Sequence, residues 1–293
     1  MKNKGPIYLT LTILFFSTYE VVSKTVVGFI DPIQVNFIRF LFGGLILLPL
    51  AIRDIRRKNI KLLLKDYIYL LALGMLSVGL SMNLLQYGIT LTRANLAAVI
   101  FSSNPLFVAL MSALLMRESL PPAKLFGLLV GFAGVVLTFA GEGSMNSAFY
   151  RGVLFLVLAA LTFGLYTVAG KKMATRIGSL AMNSLCFIFG SLSLIPLLLI
   201  KETPLFSFDP VIWPQIIYLT VFVTGLAYYS YFRGLSMVDT SLGSMVFFVK
   251  PLLASFLAAV VLGEKLSINL LFGTMLVLVS IYIVQRVVGE QGS

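Results

Sequence analysis

The sequence has no histidine and one cysteine, Cys186. Without histidine there is neither a histidine proton relay nor a zinc site with histidine ligands. A lone cysteine, here in the middle of an apolar run, excludes an intrachain disulfide. Charge is scarce: 11% of residues are charged, where soluble domains carry about a quarter. There is no nucleotide-binding loop, catalytic triad or metal-ligand cluster, so no cofactor or metal is expected, and ATP-driven pumping would require another subunit. Basic residues outnumber acidic ones, 22 to 11, but no nucleic-acid-reading motif accompanies them. Nucleic acid is therefore not expected as a partner. No polar stretch remains that is long enough for a soluble domain.

What is abundant is apolar sequence, at 59% of 293 residues. Apolar spans recur near 6–28, 32–52, 67–89, 94–115, 122–140, 150–170, 179–200, 212–232, 240–262 and 267–285. Each is close to the roughly 20 helical residues that cross a ~30 Å hydrocarbon core. The spacing predicts an all-α membrane protein of ten transmembrane helices. The first run continues past the length of a signal peptide's apolar region and holds Glu20 and Lys24, so it is read as an uncleaved helix. The bases gather in alternate loops, including a cluster from Arg53 to Lys65. The tendency of Lys and Arg to stay inside predicts cytoplasmic termini in an inner or plasma membrane, with the cluster meeting anionic lipid headgroups.

The chain also repeats itself. Slid by 146 residues, 88–134 matches 234–280 at 11 of 47 positions, among them Gly88 with Gly234, Phe101 with Phe247, Pro105 with Pro251 and Glu118 with Glu264. The repeats are read as 1–145 and 146–293, with five helices each. Because five is odd, the second repeat enters the membrane in the opposite sense. Inverted repeats of this kind place substrate sites near the midplane, at the repeat interface. A complete two-repeat carrier is expected to work as a monomer.

In the run 240–262, Lys250 and Pro251 stand together at mid-span; Asn104 and Pro105 hold the matching positions in 94–115. Proline removes a helical hydrogen bond, so both prolines are expected to break their helices at the depth of the site. A charge at that depth is costly unless it is paired or faces a wet cavity. Lys250 lies too far from the interface to snorkel, so it is expected to be paired or to contact substrate.

Among the carboxylates only Glu20 lies deep in a span. It is either the proton-coupling group or half of a permanent ion pair. Lys24, one turn on, is expected at the outer rim or paired with Glu20; Arg39 is expected to pair with Glu20, to recruit an anionic substrate, or to be structural. Around them Ser244, Phe247, Phe101, Asn104, Tyr19 and Tyr228 are candidates to line a substrate pocket. Tyr228, Tyr229 and Tyr231 cannot all face one way. Glu118 and Glu264 are expected to accept hydrogen bonds from the free N–H groups of the helix that follows each. Gly127, Gly131 and Gly134 are read as close helix packing.

These residues resemble the drug/metabolite transporter superfamily, in particular its EamA-type ten-helix transporters. The carriers of the resemblance are Phe16-Ser17-Thr18 through Lys24, then Pro32 and Arg39, Ala94-Asn95-Leu96-Ala97 through Asn104-Pro105-Leu106-Phe107, and Gly263-Glu264-Lys265-Leu266-Ser267 after Lys250-Pro251. The family usually has Trp-Gly where Phe16-Ser17 stand, and Gly-Glu where Arg117-Glu118 stand. The resemblance implies efflux of small metabolites from the cytoplasm. With three deep cations against one anion, the expected cargo is a small zwitterionic or anionic metabolite, amino acids first, moved by alternating access. Efflux of hydrophobic drugs is the alternative. A lipid-modifying enzyme would need a convergent acid–base or metal set, which the sequence lacks.

Overall fold

The computed structural model describes residues 4–116, 121–140, 146–238 and 240–291, with the side chains of 240–245 and 287–291 outside the described set. Nine helices among the described residues are long and apolar enough to cross a membrane: α1 (Gly5–Thr25), α2 (Pro32–Arg57), α3 (Leu64–Leu91), α4 (Ala94–Met116), α5 (Pro122–Phe139), α6 (Ser147–Ile177), α7 (Ser179–Ile200), α8 (Pro210–Leu235) and α10 (Ile268–Arg286). Helix α9 (Thr240–Leu262) completes the ten. This is the all-α, ten-helix membrane fold that the spacing predicts.

Local chemistry sets the boundaries. Asp31 caps α2, its side chain accepting from the Ile33 amide at 2.8 Å, with Pro32 as the first helical residue. Asn146 caps α6 through the Phe149 amide. Gly178, at φ +93°, supplies the left-handed residue that turns α6 directly into α7. Helix α4 breaks at Ser103, two residues before Pro105, which has no amide to donate, and resumes at Asn104. The other proline behaves differently. Pro251 lies inside an unbroken α9, since a single interior proline removes one bond and a packed bundle tolerates it.

Two departures from regular helix were not visible in the apolar pattern. Met75–Met82 in α3 and Tyr218–Leu226 in α8 are wide π-helical turns. Side chains take up the backbone carbonyls there: the Asn83 amide donates to Val78 and Gly79, and the Thr224 hydroxyl to Leu219. The two segments fall in the third helix of each repeat.

Helix packing follows the repeat. Helix α1 packs on α9 and α8, and its counterpart α6 packs on α4 and α3; α2 pairs with α7, α4 with α9 and α5 with α10. Each contact maps onto itself or onto another when every helix is exchanged for its equivalent in the other repeat. The α5–α10 crossing is close. A Cβ added at Gly273 would sit 2.6 Å from the Gly134 carbonyl oxygen, and one at Gly134 would sit 2.9 Å from the Gly273 carbonyl oxygen. The Ser280 hydroxyl donates to the Gly127 carbonyl across the same seam. Small residues are what let two helices approach this far in lipid.

Gly273→Val is therefore expected to lower the melting temperature of the detergent-solubilised protein, with a cost of roughly 1–3 kcal/mol for overpacking. Gly79→Ala, whose added Cβ meets nothing nearer than the Ser193 hydroxyl at 3.5 Å, is expected to leave it unchanged.

Candidate substrate site

Lys250 and Glu20 meet in the middle of the bundle. Lys250 Nζ lies 2.6 Å from Glu20 Oε1, and the carboxylate is fully buried. The pair joins the first helix of one repeat, α1, to the fourth helix of the other, α9. The same ammonium stands 5.4 Å from the centre of the Phe101 ring on α4. Ser17, one turn before Glu20, donates its hydroxyl to the Lys250 backbone carbonyl at 3.3 Å. Glu20 Oε2 has no hydrogen-bond partner among the described residues. The Lys250–Glu20 pairing is thus present, and Arg39 and Lys24 take no part in it.

Arg39 lies on the neighbouring α2. Its guanidinium carbon is 4.2 Å over the Tyr19 ring and 4.3 Å over the Phe40 ring. The Tyr19 hydroxyl in turn donates to Gln86 Oε1 at 2.9 Å. Asn36, one turn earlier on α2, donates to the Met82 carbonyl and to Asn83 Oδ1, which ties α2 to the wide turn of α3. Tyr228 packs edge-on against Phe16 and Phe187. Of the three clustered tyrosines, Tyr228 and Tyr231 both meet Phe16 of α1, whereas Tyr229 meets Tyr8 a turn or more away.

Several candidates are placed differently from expectation. Lys24 is neither a bare rim charge nor a partner of Glu20. Its ammonium donates to the carbonyls of Ile89, Thr90 and Thr92, where α3 ends. A cation suits that position because unpaired carbonyls accumulate at a helix C-terminus. Glu264 accepts from the amides of Ala94 and Asn95 at 2.7 and 2.9 Å. It therefore caps α4, in the other repeat, rather than the helix that follows it. Lys24 and Glu264 thus hold the two sides of the α3–α4 turn. Asn104 spends its amide on the Ala160 carbonyl of α6 at 3.0 Å. Phe247 is half-buried on α9, one turn before Lys250. Ser244 and Glu118 lie outside the described side chains.

Comparison with known proteins decides the family. The model of the EamA-like transporter family matches residues 3–140 and again 150–286. The chain belongs to the EamA-like transporter family. An uncharacterized transporter of Clostridium kluyveri is 34% identical to it, over 94% of this chain and 91% of its own. The Bacillus subtilis transporter YvbV is 30% identical, over 97% and 92%. A WAT1-related chloroplastic protein of Arabidopsis thaliana is 25% identical, over 92% of this chain and 66% of its own. A solved structure with 20% identity aligns over the whole of both chains with a TM-score of 0.66, which shows the shared fold. The protein is a multi-pass membrane transporter.

Two polar positions of this EamA transporter escaped the sequence reading although a signal existed. Ser17 precedes Glu20 by three residues and Asn36 precedes Arg39 by three, so each shares a helical face with the charge it attends. Polar residues at that spacing in an otherwise apolar helix mark its interior face.

Breaking a buried ion pair by removing one partner costs about 3–5 kcal/mol, because the other charge is left uncompensated. Lys250→Met is expected to destabilise the purified transporter by an amount of that order. Adding Glu20→Gln to Lys250→Met should recover most of the loss. Thermal unfolding of the two singles and the double in one detergent measures the coupling; additive losses would show that the two charges do not act as a pair.

Proposed function

We propose that this EamA-family protein is a secondary transporter that exports a small zwitterionic or anionic metabolite, with amino acids the leading class, by alternating access between its two halves. The observation that carries the reading is the Lys250–Glu20 pair, a buried opposite-charge contact made between the repeats rather than within one. Intramembrane charges are costly and mark substrate or ion pathways by default, and inverted repeats bring their site to the interface. A contact that bridges the halves must change when the halves rock, so protonation or ligand binding at the pair is coupled to the opening of one side or the other.

In this scheme Lys250 and Glu20 form the switch, while Phe101, Phe247, Tyr19 and Tyr228 line the path. Glu20 is the proton-coupling residue. Protonation of Glu20 removes the attraction that holds α1 to α9. Cytoplasmic termini, a cell-membrane location and a monomeric working unit complete the proposal. The excess of Lys and Arg in the loops on the N-terminal side supports that orientation.

Uptake of labelled amino acids into proteoliposomes, with and without an imposed pH gradient, tests the reading. Lys250→Ala is expected to abolish transport. Glu20→Gln should keep exchange of labelled for unlabelled substrate but lose gradient-driven accumulation. Full gradient-driven accumulation in both variants would reduce the pair to a structural fastener.

A further inference from the structure

Counting which deep cations are already neutralised leads to a different anchor for the cargo. Lys250 is matched by Glu20 at 2.6 Å, and Lys24 is engaged by three carbonyls at the end of α3. Arg39 is 3% exposed, and no carboxylate among the described residues lies within ion-pairing distance of it. Its Nε and Nη1 have no hydrogen-bond partner, and Nη2 meets only the thioether sulfur of Met82, at 3.8 Å. Among the described residues this buried guanidinium is thus supplied with two rings and no anion.

The atoms around it are poised in the same way. Tyr19 and Phe40 hold the guanidinium carbon at 4.2 and 4.3 Å. One turn after Tyr19 on α1, the Ser23 hydroxyl oxygen is likewise buried without a hydrogen-bond partner among the described residues, so it and Arg39 Nε and Nη1 form the unsatisfied cluster. Buried polar atoms are almost always satisfied, so a cluster that is not points to a partner the chain does not provide. Guanidinium favours planar oxyanions, to which it gives charge-assisted hydrogen bonds.

We infer that Arg39, and not Lys250, is the docking group for a carboxylate of the cargo, and that the cargo is a carboxylic acid whose apolar part lies against Tyr19 and Phe40. This deepens the export reading and rests on it for the word cargo, but the docking chemistry stands on Arg39 alone. Lys250 and Glu20, already paired, are then left to report the arrival of charge rather than to bind it. The division separates recognition on α2 from the moving contact between α1 and α9.

The test uses L-phenylalanine and two relatives, phenylalaninamide and phenethylamine, with the purified full-length protein. Thermal stabilisation in detergent gives a readout independent of transport, and counterflow in proteoliposomes gives the second. The acid should be preferred to the amide by roughly tenfold or more, the worth of one charge-assisted hydrogen bond. Arg39→Gln should erase that preference. Arg39→Lys, which keeps the charge, should retain it at weaker affinity, and Lys250→Met should retain it in the binding readout. Equal binding of acid and amide by the wild type, no stabilisation by the acid, or a preference that survives Arg39→Gln would each overturn the assignment. Acid-selective stabilisation that depends on Arg39, without transport of phenylalanine, would instead sink the amino-acid reading and leave the docking group standing.

Discussion

The structure depends on one contact, the pairing of the buried Glu20 carboxylate with the Lys250 ammonium inside the hydrocarbon core. Glu20 and Lys250 are 230 residues apart in the chain and 2.6 Å apart in space. No described lysine or arginine besides Lys250 lies within ion-pairing distance of Glu20. The pair fixes which helix of one repeat faces which helix of the other. The aromatic contacts of α1 with α8 and the cap that Glu264 places on α4 then follow from the same register.

The pseudo-symmetry makes the asymmetry informative. A slide of 146 residues carries Asn104 onto Lys250, and in the first two helices, where Phe40, Gly43 and Pro49 fall on Phe187, Gly190 and Pro196, a slide of 147 carries Glu20 onto Thr167. The α4–α6 contact, counterpart of α1–α9, is therefore neutral: Asn104 donates to the Ala160 carbonyl, and Tyr166 donates to Asn183. At the offset of 147 Arg39 maps onto Cys186, so its charge has no equivalent in α7, whereas Asn36 maps onto Asn183. Duplicated halves supply the scaffold and its two-fold motion. The chemistry is confined to the crossings of α1, α2, α4 and α9, where one half differs from the other.

Much of this was legible before any coordinates. Ten spans, the internal repeat, close packing at Gly127, Gly131 and Gly134, and the choice for Lys250 between pairing and substrate contact could all be read from apolar spacing and from a charge in the wrong solvent. What stayed hidden depends on distance across the fold. Nothing local says that Lys24 reaches the end of α3, or that Glu264 caps a helix of the other repeat, because the free carbonyls and amides they serve belong to the backbone and leave no mark in side-chain pattern. Pro251 looked equivalent to Pro105, yet only α4 breaks. The wide turns in α3 and α8 were invisible for the same reason, since apolar composition does not distinguish one helical pitch from another.

The measurement that bears most directly on the account is a charge exchange. Glu20→Lys and Lys250→Glu, made singly, place two like charges together in the core; made together, they restore an opposite pair with its direction reversed. The account predicts that each single exchange yields a protein without counterflow activity. The double exchange should recover folding and a measurable fraction of transport. A double exchange no better than either single one would contradict it, by showing that these two charges do not answer to each other.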